Sequence, residues 1–199
     1  KVYCEAMNLM RQEAALSLKK GILNELSDLE MPKTQFEVLI DKTLEQEYTE
    51  NGTDRVEFLF SPNLGEAVKP LSKIASGGEM SRVMLAVKAM LADIDRVPTL
   101  IFDEIDAGVS GKAATKVGDK LKKVSRNHQV ICITHHAQIA SLANAHYYIS
   151  KKEQNSRTVT SLKLLEGEER ENEITRLLSG EHMTDAARLL ARELLSVRA

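Results

Sequence analysis

The 199-residue chain has only two cysteines, Cys4 and Cys132, which do not make a disulfide framework. Cys132 lies in an apolar run and is expected to pack as a small core residue. No stretch approaches 18 consecutive apolar residues, so no helical membrane span is expected, and no signal-peptide pattern is visible. A reducing cytoplasm is the expected compartment. Charge of one sign is also lacking: 27 Lys and Arg stand against 29 Asp and Glu, a net charge of −2. There is therefore no global basic field to hold nucleic acid. No stripe of basic and aromatic residues stands out either, so a DNA contact would need a local patch or further chain. A Gly-x-x-x-x-Gly-Lys-Ser/Thr phosphate loop is absent. Gly108-Val-Ser-Gly-Lys112 fails that spacing, Ala113 replaces the Mg²⁺-binding hydroxyl, and the stretch reads as a turn before a helix. An initial methionine is missing too: Lys1 opens in helix-like sequence, from which a fragment is expected. What remains is an ordinary globular balance, 43% hydrophobic and 28% charged, in a chain long enough for one domain with a core.

Residues 3 to about 30 read as one helix, with Ala15, Leu18, Ile22, Leu26 and Leu29 at three- and four-residue spacing. Met31-Pro32 ends it, because the residue before proline is pushed out of the helical region. The narrow stripe fits either a surface helix on a sheet or the returning end of an antiparallel coiled coil. Phe36–Ile40 and Val56–Phe60 read as strands, and Ser61–Ser72 as a loop. Glu79 to about Asp95 is an amphipathic helix whose apolar face is Met80, Val83, Met84, Val87, Met90, Leu91 and Ile94. Ser76 to Glu79 has the Ser-x-x-Glu spacing of a capping box. Thr99–Phe102 and Gln129–Thr134 are short apolar runs without alternation, as in buried parallel strands, and a helix over Lys112–Val124 separates them. Ala137–Ala143 follows as a short helix. Tyr147–Lys151 and Thr158–Leu165 form a strand pair around the polar loop Lys152–Arg157. Glu166–Glu173 reads as an acidic loop and helix start, and Ile174–Leu178 and Ala186–Leu195 close the chain as helices. Strands separated by helices predict an α/β sheet.

Ligands of such sheets sit at the carboxyl ends of the strands, where Asp103, Glu104 and His135 all fall. An acid directly after a buried strand suits Mg²⁺ held through water. A second acid beside it suits orientation or deprotonation of a water. Ser76, Gly77 and Gly78 open a helix, whose free N–H groups attract anions, and the glycines admit a bulky phosphate; the bland alternative is a helix cap. A metal-only site of Asp103, Glu104, His135 and His136 is a further option, although the spacing is not a recognised ligand pattern. His128, His146 and His182 lie in polar or loop contexts and read as surface or edge residues.

Ser76-Gly77-Gly78-Glu79-Met80-Ser81 resembles the signature motif of ABC-type ATPases. Leu100-Ile101-Phe102-Asp103-Glu104 resembles their Walker B strand with its catalytic glutamate, Ile105-Asp106-Ala107-Gly108-Val109-Ser110 the following D-loop, and Ile133-Thr134-His135 the switch histidine. Order and spacing resemble the SMC-like branch, over roughly residues 30 to 195. His136-Ala137 departs from the apolar residue and proline expected there and leaves His135 in place. The resemblance implies the C-terminal lobe of an ABC/SMC-type head, a P-loop NTPase fold incomplete without an N-terminal half that carries Walker A and the Q-loop. It moves residues 1–31 toward the returning coiled coil and leaves 32–199 as head.

It also implies roles. Ser76, Gly77, Gly78 and Glu79 would serve the γ-phosphate of ATP bound by a partner head. Asp103 would help hold Mg²⁺ through water, Glu104 would polarise the attacking water, His135 would sense the γ-phosphate, and Asp106 would communicate across the dimer. The partners implied are the N-terminal half of the same protein, a second head and DNA, in double-strand break repair, at a cytoplasmic, nucleoid-associated location. The other readings are a non-catalytic docking half and a metal-dependent hydrolase using Asp103, Glu104 and His135.

Overall fold

The computed structural model describes residues 2–42, 48–74, 77–92, 94–154 and 157–196. The chain divides into two compact units, Lys1–Val109 with Asp119–Ile133, and Ser110–Gly118 with Thr134–Ala199. The first opens with helix α1 (Val2–Asp28), which packs on later elements through Ile22 and Leu26, both fully buried. It ends in a Schellman turn. Glu30 takes φ 59°, its N–H donates to Ser27 C=O at 3.2 Å, and Met31 N–H donates to Leu26 C=O at 2.9 Å. Pro32 then bars continuation.

Strands β1 (Gln35–Lys42) and β2 (Asp54–Ser61) pair antiparallel, with Phe36 opposite Phe60, and both rings are buried. Within the region read as a loop the structure adds a two-residue edge strand β3 (Lys69–Pro70) on β2 and a 3₁₀ turn at Leu71–Lys73. Proline is tolerated there because an edge position needs no ladder donor.

Helix α2 (Gly77–Leu91) buries Gly78, Arg82, Val83, Leu85, Ala86 and Ala89. This corrects the expected apolar face: Met90 is half-exposed and Ile94 lies open beyond the helix end. Met90 lies at the rim of the contact with α1, where a Cβ on Gly21 would collide with its thioether. Strand β4 (Thr99–Phe102) runs parallel to β5 (Gln129–Cys132), with Phe102 opposite Cys132, and α3 (Gly111–Val124) is the crossover between them. Lys120 of α3 pairs with Glu25 and, at 2.8 Å, with Asp28 of α1. The pair of strands is not buried on both faces as expected. Leu100 and Phe102 are covered, whereas Ile101 is 67% exposed and Ile131 and Ile133 nearly half so. Alternate residues face opposite sides of a strand, and only one side is covered here. His128 is a second correction: it is buried, with Nδ1 2.7 Å from Val97 C=O.

In the second unit, α4 (Ala137–Ala140), α5 (Gly167–Ser179) and α6 (Asp185–Ser196) share a core of Ala137, Ala140, Ile174 and Ala191. The acidic stretch from Glu166 is thus helix almost from its start. Arg170 binds it to α4 by donating to Ser141 and Ala143 C=O, at 3.1 and 2.6 Å. Strands β6 (His146–Gln154) and β7 (Arg157–Leu165) form a hairpin longer than the sequence pattern suggests, and almost all of β7 is exposed. Burial is the main influence on His146, lowering its pKa together with the nearby Arg170 against the opposing pull of Glu173. Among the described residues no helix is long and apolar enough to cross a membrane. The architecture is α/β, with one parallel βαβ unit and two antiparallel sheets among the described residues.

Candidate functional site

The site is built around the turn that follows β4. Strand pairing ends at Phe102, and Asp103 and Glu104 leave the sheet edge with both side chains exposed. Glu104 takes φ 56°, a left-handed conformation that costs a non-glycine residue of order 1 kcal/mol and clusters at functional sites. The chain then folds back: Ala107 N–H donates to Glu104 C=O at 3.0 Å and Val109 N–H to Asp106 C=O at 3.3 Å. Gly108, at φ 69°, completes the turn. Ile105 and Asp106 are buried within it.

The first turn of α2 lies directly on this loop. A Cβ on Gly77 would overlap Glu104 Oε2. A Cβ on Gly78 would sit 3.0 Å from both Ala107 Cβ and Glu104 C=O. Gly78 therefore needs glycine for close approach to the loop backbone, whereas at Gly77 a methyl would displace only the Glu104 side chain. Ser81 Oγ donates to Asp103 C=O at 2.6 Å, one turn further along. Arg82 is 8% exposed; its Nη1 donates to Ala107 C=O at 3.0 Å, with a longer contact to Ile105 C=O at 3.4 Å. Burial lowers the pKa of its guanidinium, and Glu79 one turn earlier works in the opposite direction.

The sequence-derived residues therefore separate as follows. Gly77, Gly78, Glu104 and the Asp106 turn are brought together in one unit, Asp103 stands at the same strand end, and Glu79 lies on the same helical turn as the glycines. The glycine end and the acidic end, which the sequence assigns to different nucleotides, meet within this chain. Ser76 lies outside the described residues. His135 is exposed and belongs to the second unit, where its ring centroid lies 4.7 Å from that of His136. Arg82 and Ser81 were missed as site residues. The available signal was spacing, since Arg82 falls four residues after Gly78 on the buried stripe of α2.

Free N–H groups at a helix start, small residues beneath them and two exposed carboxylates at a strand end form a donor set that fits a phosphate and a hydrated divalent cation. Cys132 takes no part in this chemistry. Burial first, then the charges of Asp106 and Asp103, push its thiol up to about 12, which keeps it protonated and inert.

No family model matches the chain. Individual proteins do. It is 44% identical over 194 residues to the DNA repair protein RecN of Halalkalibacterium halodurans, covering 96% of this chain and 34% of that protein. The RecN proteins of Bacillus subtilis and Streptomyces coelicolor are 42% and 40% identical, over 98% and 96% of this chain. The chain thus spans about a third of the length of these relatives. Among solved structures, an Smc head domain with coiled coil and joint from Pyrococcus yayanosii superposes with a TM-score of 0.56. It is 22% identical and covers 85% of this chain and 30% of that one. The Smc head domain from Pyrococcus furiosus bound to the C-terminal domain of ScpA gives 0.51 at 23% identity, over 81% of this chain and 37% of that one. The fold is that of the C-terminal lobe of an ABC/SMC-type ATPase head, and the sequence similarity places the chain in the RecN family.

Proposed function

We propose that this chain is one lobe of an ATP-hydrolysing head that acts in DNA double-strand break repair and recombination. ATP binding would close two heads on each other and hydrolysis would reopen them. The observation that carries the reading is the seating of the glycine turn of α2 on the Glu104–Ala107 loop, in a chain so similar to RecN. In the complete protein Glu104 orients and polarises the attacking water, a positioning role that suits phosphoryl transfer. Asp103 would hold Mg²⁺ through water, and the cation would neutralise phosphate charge. Ser76, Gly77 and Gly78 present the helix N-terminus to the γ-phosphate held by the second head, beside Glu79. His135 contacts that of its own head, and Asp106 relays the state of one site to the other.

The phosphate loop that is missing here belongs to the N-terminal half, which is the first partner. Its arrival gives a use to the open Ile101, Ile131 and Ile133 face, since uncovered apolar surface marks an interface. Residues 1–31 are the end of the returning coiled coil and 32–199 the head. The exposed Val2, Leu9 and Leu16 recur every seven residues on α1, supplying one of the two apolar positions of a heptad. DNA and a second head complete the assembly, at a cytoplasmic, nucleoid-associated location.

Co-expression with the N-terminal half tests the proposal. ATPase activity is expected only in the pair. Hydrolysis by this chain alone, with divalent metal and no partner, would replace it with a metal-dependent hydrolase using Asp103, Glu104 and His135. The signature has its own test. Ser76→Arg fills phosphate space and is expected to abolish ATP-dependent head dimerisation in size-exclusion chromatography while leaving the melting temperature unchanged. Unfolding of that variant would show that Ser76 is a structural cap instead.

A further inference from the structure

Arg82 is a charged side chain buried on the inner face of α2, and no carboxylate hydrogen bond accounts for its burial among the described residues. Taking a guanidinium out of water is costly unless hydrogen bonds replace the lost hydration. Here they go to main-chain oxygens. Nη1 serves Ala107 C=O at 3.0 Å and approaches Ile105 C=O at 3.4 Å, while Nε faces the Met31 thioether at 3.4 Å. The two carbonyls flank Asp106. They converge on one nitrogen because the Ala107-to-Glu104 hydrogen bond closes the turn between them. Met31 is the residue whose N–H closes the end of α1. One guanidinium therefore grips the Asp106 turn on one side and the exit of α1 on the other.

We propose that Arg82 is a positioning residue for ATP hydrolysis, fixing the turn that carries Glu104 and Asp106. This rests on the ATPase reading above. Arg82 acts through the backbone it holds. An arginine serves because its guanidinium spreads donors over a planar fork, so separate N–H groups address the turn and Met31. Lysine can reach the carbonyls with one ammonium and keeps part of the grip. Methionine, of similar length, keeps the packing and loses every donor.

The test uses the complete protein with Arg82→Met and Arg82→Lys. Steady-state ATPase is expected to show kcat about tenfold or more lower in Arg82→Met, because small displacements of positioned groups are costly. KM for ATP should stay within about threefold, because the contacts that bind ground state and transition state alike are untouched. Arg82→Lys should recover part of kcat. In parallel, hydrogen exchange of the Ala107 and Val109 amides should quicken in Arg82→Met while the β4 and β5 amides stay protected. Unchanged kcat and unchanged exchange in Arg82→Met would overturn the proposal. So would kcat falling only in step with melting temperature, with Lys no better than Met, since that is plain core damage. If the wild-type protein hydrolyses no ATP, the underlying ATPase reading fails, and the exchange result still decides whether Arg82 holds the turn.

Discussion

Glu104→Gln in the assembled protein is expected to lower ATPase kcat by roughly 10²- to 10⁴-fold, the usual worth of a positioned acid–base group. That corresponds to about 3 to 5 kcal/mol of barrier. The amide keeps the size of the carboxylate and the φ 56° backbone, so melting temperature and nucleotide affinity should hold. What goes is the negative charge that the proposed role aims at water. Because binding survives without turnover, ATP-closed dimers should accumulate in the variant. The measurement is paired: turnover by phosphate release, and dimer fraction by chromatography with ATP and Mg²⁺. A variant retaining more than a tenth of wild-type turnover would remove Glu104 from the chemistry and shift attention to Asp103 and His135.

The two signature glycines should respond differently to alanine. At Gly78 a methyl group would meet Ala107 Cβ and Glu104 C=O at 3.0 Å and Ala107 C=O at 3.2 Å. Two of these three atoms are backbone, so α2 or the loop must move. Overpacking of this kind costs about 1 to 3 kcal/mol, and the helix-propensity gain of alanine over glycine, up to about 1 kcal/mol, offsets part of it. A net loss of about 1 to 2 kcal/mol should lower the melting temperature by roughly 2 to 8 °C in a chain of this size. At Gly77 the added methyl meets only the carboxylate end of Glu104, which can rotate away. Gly77→Ala should therefore fold as well as the parent while displacing the acid from its place. Thermal unfolding of both single variants reads the difference directly. Equal losses at the two positions would mean that the α2 turn does not rest on the loop backbone.

Much of this was legible in the residues. Thr99–Phe102 was found to the residue because a short apolar run between Pro98 and two acids has few other readings. The C-terminal end of α1 and the start of α3 followed, to within a residue or two, from Pro32 and from the turn before Lys112. The inner face of α2 was misread for a physical reason. Methionines and valines dominate the sequence pattern, but the buried stripe is Gly78, Arg82, Val83, Leu85, Ala86 and Ala89, with Gly78 set by the loop it rests on and Met90 left at the rim against Gly21. His128 was misread because a polar neighbourhood in sequence says nothing of the Val97 carbonyl that receives it. The open isoleucine face of β4 and β5 could not be inferred at all, since an apolar run reads the same whether its second cover is supplied by this chain or another. Nor does sequence register that the glycine and acidic ends touch. That contact depends on the backbone path of Glu104, which no residue pattern encodes.

The path of Glu104 also bears on how such a head would decay. At φ 56° glycine would sit without steric penalty and asparagine with little. The residue that suits the turn is thus not the residue that the proposed hydrolysis would need. If selection for hydrolysis relaxed, drift toward glycine or asparagine at this position would tighten the loop and silence it in one step. Under the proposed function, glycine or asparagine here would mark a head that no longer turns over ATP, and a glutamate held at φ 56° is the residue that hydrolysis would demand in spite of the turn.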